Sequence, residues 1–308
     1  MIIALIGFGE AGLAIASSLG RADGARPVLR AFDVKLGDDD AAIAAAIAAR
    51  IEGAGAMVCH SPAEAVAEAD IVISVVTADQ AATAAGLSAR HLPQGALYLD
   101  MNSCAPTTKL IAGNSIENAG GVYVDVAVMA PIEPRGHETP MLAAAPDPEA
   151  VAARLAAAGL HPRFVGDEIG RASTIKMLRS VMVKGIEALT AECFRAAVKA
   201  GVADEVAHSL DASQTDMGWA AQAAYNMERM TAHGIRRAAE MREVAKTLRA
   251  LDIAPAMTTG TIAWQDDMGA LDLTLVPDAA LATQIALIEQ ALDPDTHADT
   301  GTSDQKRS

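Results

Sequence analysis

Two sets of residues in this chain have the types and spacing to do chemistry. The first is Gly7-Phe8-Gly9-Glu10-Ala11-Gly12, which follows the apolar run Ile2 to Ile6 and precedes the helical stretch Leu13 to Leu19. A strand, a glycine loop and a helix in that order make a cradle for a pyrophosphate. Gly7 permits the tight turn, Gly9 lets the backbone approach the phosphates, and Gly12 lets the helix pack on the strand, with its N-terminus facing the negative charge. A second apolar run, Val28 to Phe32, ends at Asp33, about 20 residues beyond the motif, where a carboxylate accepts from the ribose hydroxyls. Such a carboxylate repels a ribose phosphate, so NAD is expected, with NADP less favoured although Lys35 is near. The second set is Lys176, Ser180 and Lys184, which share one face of a helix and are flanked by Arg179. A helical lysine is ordinarily solvated. Clustered cations and burial in a cleft, however, lower an ammonium pKa toward the range of a general base.

These residues need elements to hold them. From Met1 to about Pro162, apolar β-branched runs (2–6, 28–32, 56–58, 71–76, 96–99, 122–128) alternate with Ala-rich helical stretches (11–19, 41–52, 63–69, 78–89, 107–119). That is the pattern of βαβ units and a parallel sheet. Segments 141–145, 151–158 and 163–165 are expected to extend the sheet. After Gly170 helical patterns take over. A helix over 172–200, roughly 40 Å long, is expected to lie between domains. Further helices are expected over 203–210, 219–230, 234–251, 255–267 and 279–291, and 293–308 reads as a polar disordered tail. The fold class is therefore α/β: an N-terminal Rossmann domain with a doubly wound, mostly parallel sheet (1–165), a long interdomain helix, and an all-α C-terminal domain (166–292).

Composition narrows the function. A formal charge of −15, from 24 basic and 39 acidic residues, opposes nucleic acid and anionic membrane surfaces as partners. No leader and no membrane span are apparent, and Cys59, Cys104 and Cys193 are odd in number and widely spaced, so a reducing cytoplasm is expected. Seven scattered His without HExxH predict no metal, and Asp38-Asp39-Asp40 reads as a helix cap. Without a Walker lysine or GxSxG motif, kinase and hydrolase readings fall away.

Four landmarks in order carry a resemblance over nearly the whole chain: the glycine motif; Asp100-Met101-Asn102-Ser103-Cys104-Ala105-Pro106; Asp125-Val126-Ala127-Val128-Met129-Ala130-Pro131; and Gly170-Arg171-Ala172-Ser173-Thr174-Ile175-Lys176. The chain resembles the β-hydroxyacid dehydrogenase family, which includes 6-phosphogluconate and 3-hydroxyisobutyrate dehydrogenases, in a divergent subgroup with a phosphogluconate-dehydrogenase-like C-terminal domain. The resemblance implies NAD-dependent oxidation of a small β-hydroxy acid, or reduction of the matching carbonyl, with Lys176 as base or acid. Ser180 would orient the lysine or bond the substrate. Ser103, Met129, Arg179 and Arg237 would contact substrate, and Gly7 to Gly12, Asp33, Val76, Thr77 and Ser103 the cofactor. A homodimer is implied as well.

Two departures stand out. Met129-Ala130-Pro131 replaces the family's carboxylate-holding Ser-Gly-Gly, and Ser180 replaces its usual Asn. Val183, where an acid would serve decarboxylation, argues against that step. Arg135 and His137 are expected to reach the cleft from the loop after Pro131, and Met217, Trp219, Tyr225, Met227 and Met230 to form core or dimer interface, or else a substrate wall. Two alternatives are an imine reductase-like NAD(P)H-dependent reductase, which Val128 to Pro131 resembles, and a catalytically silent nicotinamide-binding sensor.

Overall fold

The β-branched runs of the first half assemble into one sheet: β1 (Ile2–Ile6), β2 (Val28–Phe32), β3 (Met57–Val58), β4 (Ile71–Ser74), β5 (Leu97–Asp100), β6 (Val122–Val128), β7 (Met141–Ala144) and β8 (Arg163–Phe164). The computed structural model describes residues 1–20, 26–213, 216–276 and 279–293, so the expected tail lies, beyond Asp293, outside the described residues. The strand order is β3-β2-β1-β4-β5-β6-β7-β8, and the one antiparallel pairing is β6 with β7. The chain winds outward from β1 to β3, then returns to β4 on the other side of β1. In open parallel sheets ligands sit at the carboxyl ends of the strands flanking such a reversal.

Alternation along the strands explains the unbroken apolar runs. Ile3, Leu5, Ile73, Leu99 and Val124 bury against one set of helices, whereas Ala4, Ile6, Val72, Tyr98 and Tyr123 bury against the other. Both faces are therefore core. The crossover helices are α1 (Glu10–Leu19), α2 (Ala41–Gly53), α3 (Pro62–Val66), α4 (Ala81–Ala89) and α5 (Pro106–Asn118). The stretch 151–158 does not extend the sheet; it lies mostly in α6 (Pro148–Ala156). Asp147 caps it by accepting from the Ala150 amide, Pro148 opens it, and Val151 and Leu155 bury one turn apart. A start signal three and four residues ahead of the apolar run thus outweighs the run itself.

Two compact units emerge, Met1–Met182 and Val183–Ser308, and α7 (Arg171–Ala200) runs through the division. The second unit contains α8 (Ala203–Ser213), α9 (Trp219–Ala250), α10 (Ala256–Ala270) and α11 (Leu281–Leu292). The two helices expected over 219–230 and 234–251 are one, and Gly234 within it is a point of contact with α10. A Cβ there would stand 2.2 Å from the Gln265 carbonyl oxygen and 2.8 Å from Gly269 Cα, so α9 and α10 touch backbone to backbone. Among the described residues no helix is long and apolar enough to cross a membrane, and no group of three or more His, Cys, Asp or Glu is placed to hold a metal ion.

In the first unit, a wholly buried ionic cluster joins β5, β6, α5 and α7. Lys109 on α5 donates to Asp100 Oδ1 at 2.9 Å and to the Asp100 carbonyl at 2.5 Å, with Asp125 Oδ1 at 3.5 Å. Lys109, Asp100 and Asp125 are all 0% exposed. Tyr123, stacked on Tyr98 with ring centroids 6.1 Å apart, donates its hydroxyl to Asp100 Oδ2 at 2.7 Å. Burial, then the neighbouring carboxylates, push the Tyr123 phenol far up, so it stays a donor. Replacing Lys109 by Met strands two buried carboxylates and is expected to lower the unfolding free energy of this unit by about 3–5 kcal/mol. Adding Asp100→Asn and Asp125→Asn should restore more than half of that loss in denaturant titrations. A Lys109→Met loss under about 1 kcal/mol would contradict the buried cluster.

Candidate active site

The glycine loop divides its work by space. Gly7 has φ +94°, and a Cβ on it would stand 2.6 Å from the Val75 carbonyl oxygen; one on Gly12 would stand 2.6 Å from the Gly7 carbonyl oxygen. Those two glycines permit the turn and the helix packing. Gly9, the N-cap of α1, has nothing within 4 Å of its Cβ position and leaves open room at the helix N-terminus. Phe8 buries its ring in the core, and its amide donates to Asp33 Oδ2 at 2.7 Å. The Lys35 amide donates to Asp33 Oδ1 at 2.9 Å. Asp33 is thereby fixed beside the loop, and each carboxylate oxygen keeps further accepting capacity. Glu10 is exposed in the first turn of α1.

A cleft of about 360 Å³ opens where β1, β4, β5 and β6 end, with Ala11, Val76, Asn102, Ser103, Ile132 and Lys176 among its lining residues. Lys176 Nζ donates to Ser103 Oγ at 2.7 Å. Both partners are held from beneath. Asn102, 4% exposed, accepts the Val76 amide on Oδ1 at 2.7 Å and donates Nδ2 to Asp100 Oδ1 at 2.8 Å. This fixes the loops after β4 and β5 against each other. On the other side, Gly170 (φ +94°) turns the chain into α7, where Ser173 gives both its amide and its hydroxyl to the Asp125 carboxylate at 3.0 and 2.5 Å. Thr77 is exposed and begins the short 3₁₀ turn Ala78–Gln80. Hydrogen bonds from Thr77 and then Gln80 hold the Asp79 carboxyl below its ordinary pKa.

Other expected residues lie differently. The Ser180 hydroxyl donates to the Lys176 carbonyl at 2.8 Å, the usual back-bond of a helical serine, so it grips its own helix. Arg179 is exposed on α7. The Met129 side chain packs with Ala127, Leu142, Ala144 and Ala172, while Val128, Ala130, Pro131 and Ile132 line the cleft. Arg135 is exposed, and His137 is turned to α1 rather than into the cleft. Its amide donates to Ser18 Oγ at 2.9 Å and its Nδ1 lies 2.8 Å from the same oxygen. Gly136 (φ +57°) permits that docking, since a Cβ there would stand 2.2 Å from Ser18 Oγ. Arg237 is partly buried on α9 in the second unit. In that unit Met227 and Met230 pack on Met268, Leu275 and Ile288, Met217 and Tyr225 line a small cavity, and Trp219 is exposed.

Asn102, Lys109 and Ser173 carry the geometry without having been singled out for it. For Lys109 a signal existed: it lies on the stripe Lys109, Ala112, Gly113, Ile116 that α5 buries, which marks a buried cation in need of acids.

Residues 2–134 match the NAD binding domain of 6-phosphogluconate dehydrogenase, and residues 197–268 match a domain of unknown function, DUF1932. A conserved hypothetical protein from Sinorhizobium meliloti 1021 is 33% identical, over 94% of this chain and 96% of that one, with a TM-score of 0.59. A conserved protein reported to be structurally similar to 3-hydroxyacid dehydrogenases is 28% identical, over 88% and 97%, with a TM-score of 0.55. An imine reductase from Streptomyces aurantiacus shares the fold, at 19% identity over 94% and 99% and a TM-score of 0.67. An uncharacterized 28.5 kDa protein of Methanothermus fervidus is 30% identical over 149 residues, so the match spans only 56% of that relative. With its nucleotide-binding sheet, its helical second unit and these relatives, the chain belongs to the β-hydroxyacid dehydrogenase family, within the NAD(P)-binding dehydrogenases and reductases.

Proposed function

We propose that the protein is an NAD-dependent oxidoreductase acting on a small β-hydroxy acid or the matching carbonyl compound, with Lys176 as its proton-transfer group. The observation that carries this reading is the Lys176 Nζ to Ser103 Oγ hydrogen bond of 2.7 Å in the wall of a cleft that extends to Ala11, beside the glycine loop. Open space at Gly9 and an anchored carboxylate at Asp33 fit a dinucleotide, held by Gly7 to Gly12 and Asp33, with Val76, Thr77 and Ser103 toward its reactive end. A bound nicotinamide supplies or accepts the hydride. In oxidation, Lys176 in its neutral form takes the substrate hydroxyl proton; in reduction, the ammonium returns it. Ser103, accepting from Nζ, has its own hydroxyl hydrogen to give to the substrate oxygen. Arg179, on the same helix as Lys176, is assigned to the substrate's acid group, and Ser180 supports the helix that bears the lysine.

One observation favours imine reduction as a second reading. The Met129 amide is committed to the Pro140 carbonyl at 2.9 Å and Pro131 has no N–H, so the loop after β6 presents no amide pair there for a carboxylate. We also propose a homodimer, since Leu178 and Val181 on α7 are 67% and 69% exposed. The cytoplasm is the proposed compartment for a chain whose Cys59, Cys104 and Cys193 are all free thiols.

Following nicotinamide absorbance with a panel of β-hydroxy acids should reveal turnover with NAD that falls about 10²- to 10⁴-fold in Lys176→Ala. Stabilisation by NADH with turnover indifferent to that variant would leave a silent binder instead. NAD should be preferred over NADP, and Asp33→Ser should narrow the preference by roughly tenfold in kcat/KM; an unchanged ratio would remove Asp33 from cofactor selection. Light scattering should give twice the mass of one chain, and Leu178→Asp with Val181→Asp should halve it. A monomer at micromolar concentration would refute the dimer.

A further inference from the structure

We infer that Ser173 is a positioning residue for Lys176, acting through the buried Lys109, Asp100 and Asp125 cluster. The inference rests on the reading of Lys176 as the proton-transfer group. A lysine side chain has four flexible carbons, so holding its nitrogen on one oxygen requires a fixed helix on one side and a fixed loop on the other. The structure fixes each at two points. On the helix side, the Ser173 amide reaches Asp125 Oδ2 and its hydroxyl reaches Asp125 Oδ1, and Ser173 is 2% exposed. Ser173 precedes Lys176 by three residues, so the two lie one turn apart along one side of α7 and a turn of one carries the other. On the loop side, the Asn102 amide and Nδ2 both reach Asp100 Oδ1, at 3.0 and 2.8 Å, and Ser103 is the next residue.

Lys109 then joins the two clamps, with Nζ 2.9 Å from Asp100 Oδ1 and 3.5 Å from Asp125 Oδ1. The result is a closed circuit of chain, hydrogen bonds and one ion pair, from Lys176 through α7 to Ser173, Asp125, then across the 3.5 Å ion pair to Lys109, Asp100, Asn102 and Ser103, and back to Lys176. Apolar packing would hold the sheet and helices together at lower desolvation cost, but it is non-directional. Hydrogen bonds to fixed carboxylates set angles, and an angular error in the first turn of α7 displaces Nζ.

The test uses Ser173→Ala, which keeps the amide bond and removes only the hydroxyl, and Ser173→Thr, which returns it. Competitive acylation of lysine amines between pH 7 and 10, read by mass spectrometry with exposed Lys246 as the internal reference, reports how firmly the Lys176 amine is held. Ser173→Ala should raise Lys176 labelling about threefold relative to Lys246 as the amine leaves Ser103, and Ser173→Thr should restore the native ratio. In the NAD assay Ser173→Ala should lower kcat about tenfold with the KM for NAD within twofold. An unchanged labelling ratio in Ser173→Ala, or a ratio raised equally in both variants, would overturn the inference. If the labelling moves as expected while Lys176→Ala leaves turnover intact, Ser173 positions the amine and the acid–base reading is what fails.

Discussion

The pairing of Lys176 with Ser103 in the first unit depends on one buried cation between two carboxylates. Taking three ions out of water costs several kcal/mol for each, more than attraction over 2.9 and 3.5 Å returns at the effective dielectric of protein interiors. Directed bonds from Tyr123, Asn102 and Ser173 supply what the Coulomb energy does not. Such a cluster adds little over an apolar core of the same shape, but losing any member leaves the others unpaired. It serves as a jig that holds the end of β5, the middle of β6 and the first turns of α5 and α7 in register.

That jig lies beside the reversal in the sheet. Because β1, β4, β5 and β6 all end on one side, the glycine loop, Val76, Ser103 and the loop through Pro131 converge there without any long excursion of the chain. The small residues follow from crowding at this edge: Gly7 against Val75, Gly12 against Gly7, Gly170 against Pro106. Gly9 alone of the three motif glycines faces open space, which is where a phosphate has to come close.

Local chemistry was legible in the sequence and long-range pairing was not. Strand β1, the motif and α1 could be read because each signal lies within a few residues of its effect, Asp33 because it closes the second apolar run, and both faces of the sheet are buried, which leaves plain apolar runs. Lys176 and Ser103 were each nameable, though nothing in their spacing tells that they touch. Ser180 was misleading because helix periodicity places it under Lys176, while its hydroxyl prefers the carbonyl one turn back. The helices expected over 219–230 and 234–251 are continuous, and only the α10 backbone against Gly234 reveals a crossing there. Asp100, Lys109 and Asp125 come from three separate elements, and their partnership exists only once the sheet has formed.

The most direct test of the account is a crystal structure of the protein with NADH bound. The pyrophosphate should lie at the N-terminus of α1 over Gly9, the adenosine ribose on Asp33, and the nicotinamide ring in the cleft beside Ser103 and Lys176. A cofactor bound with its nicotinamide away from Lys176, or a glycine loop left empty at saturating NADH, would contradict it.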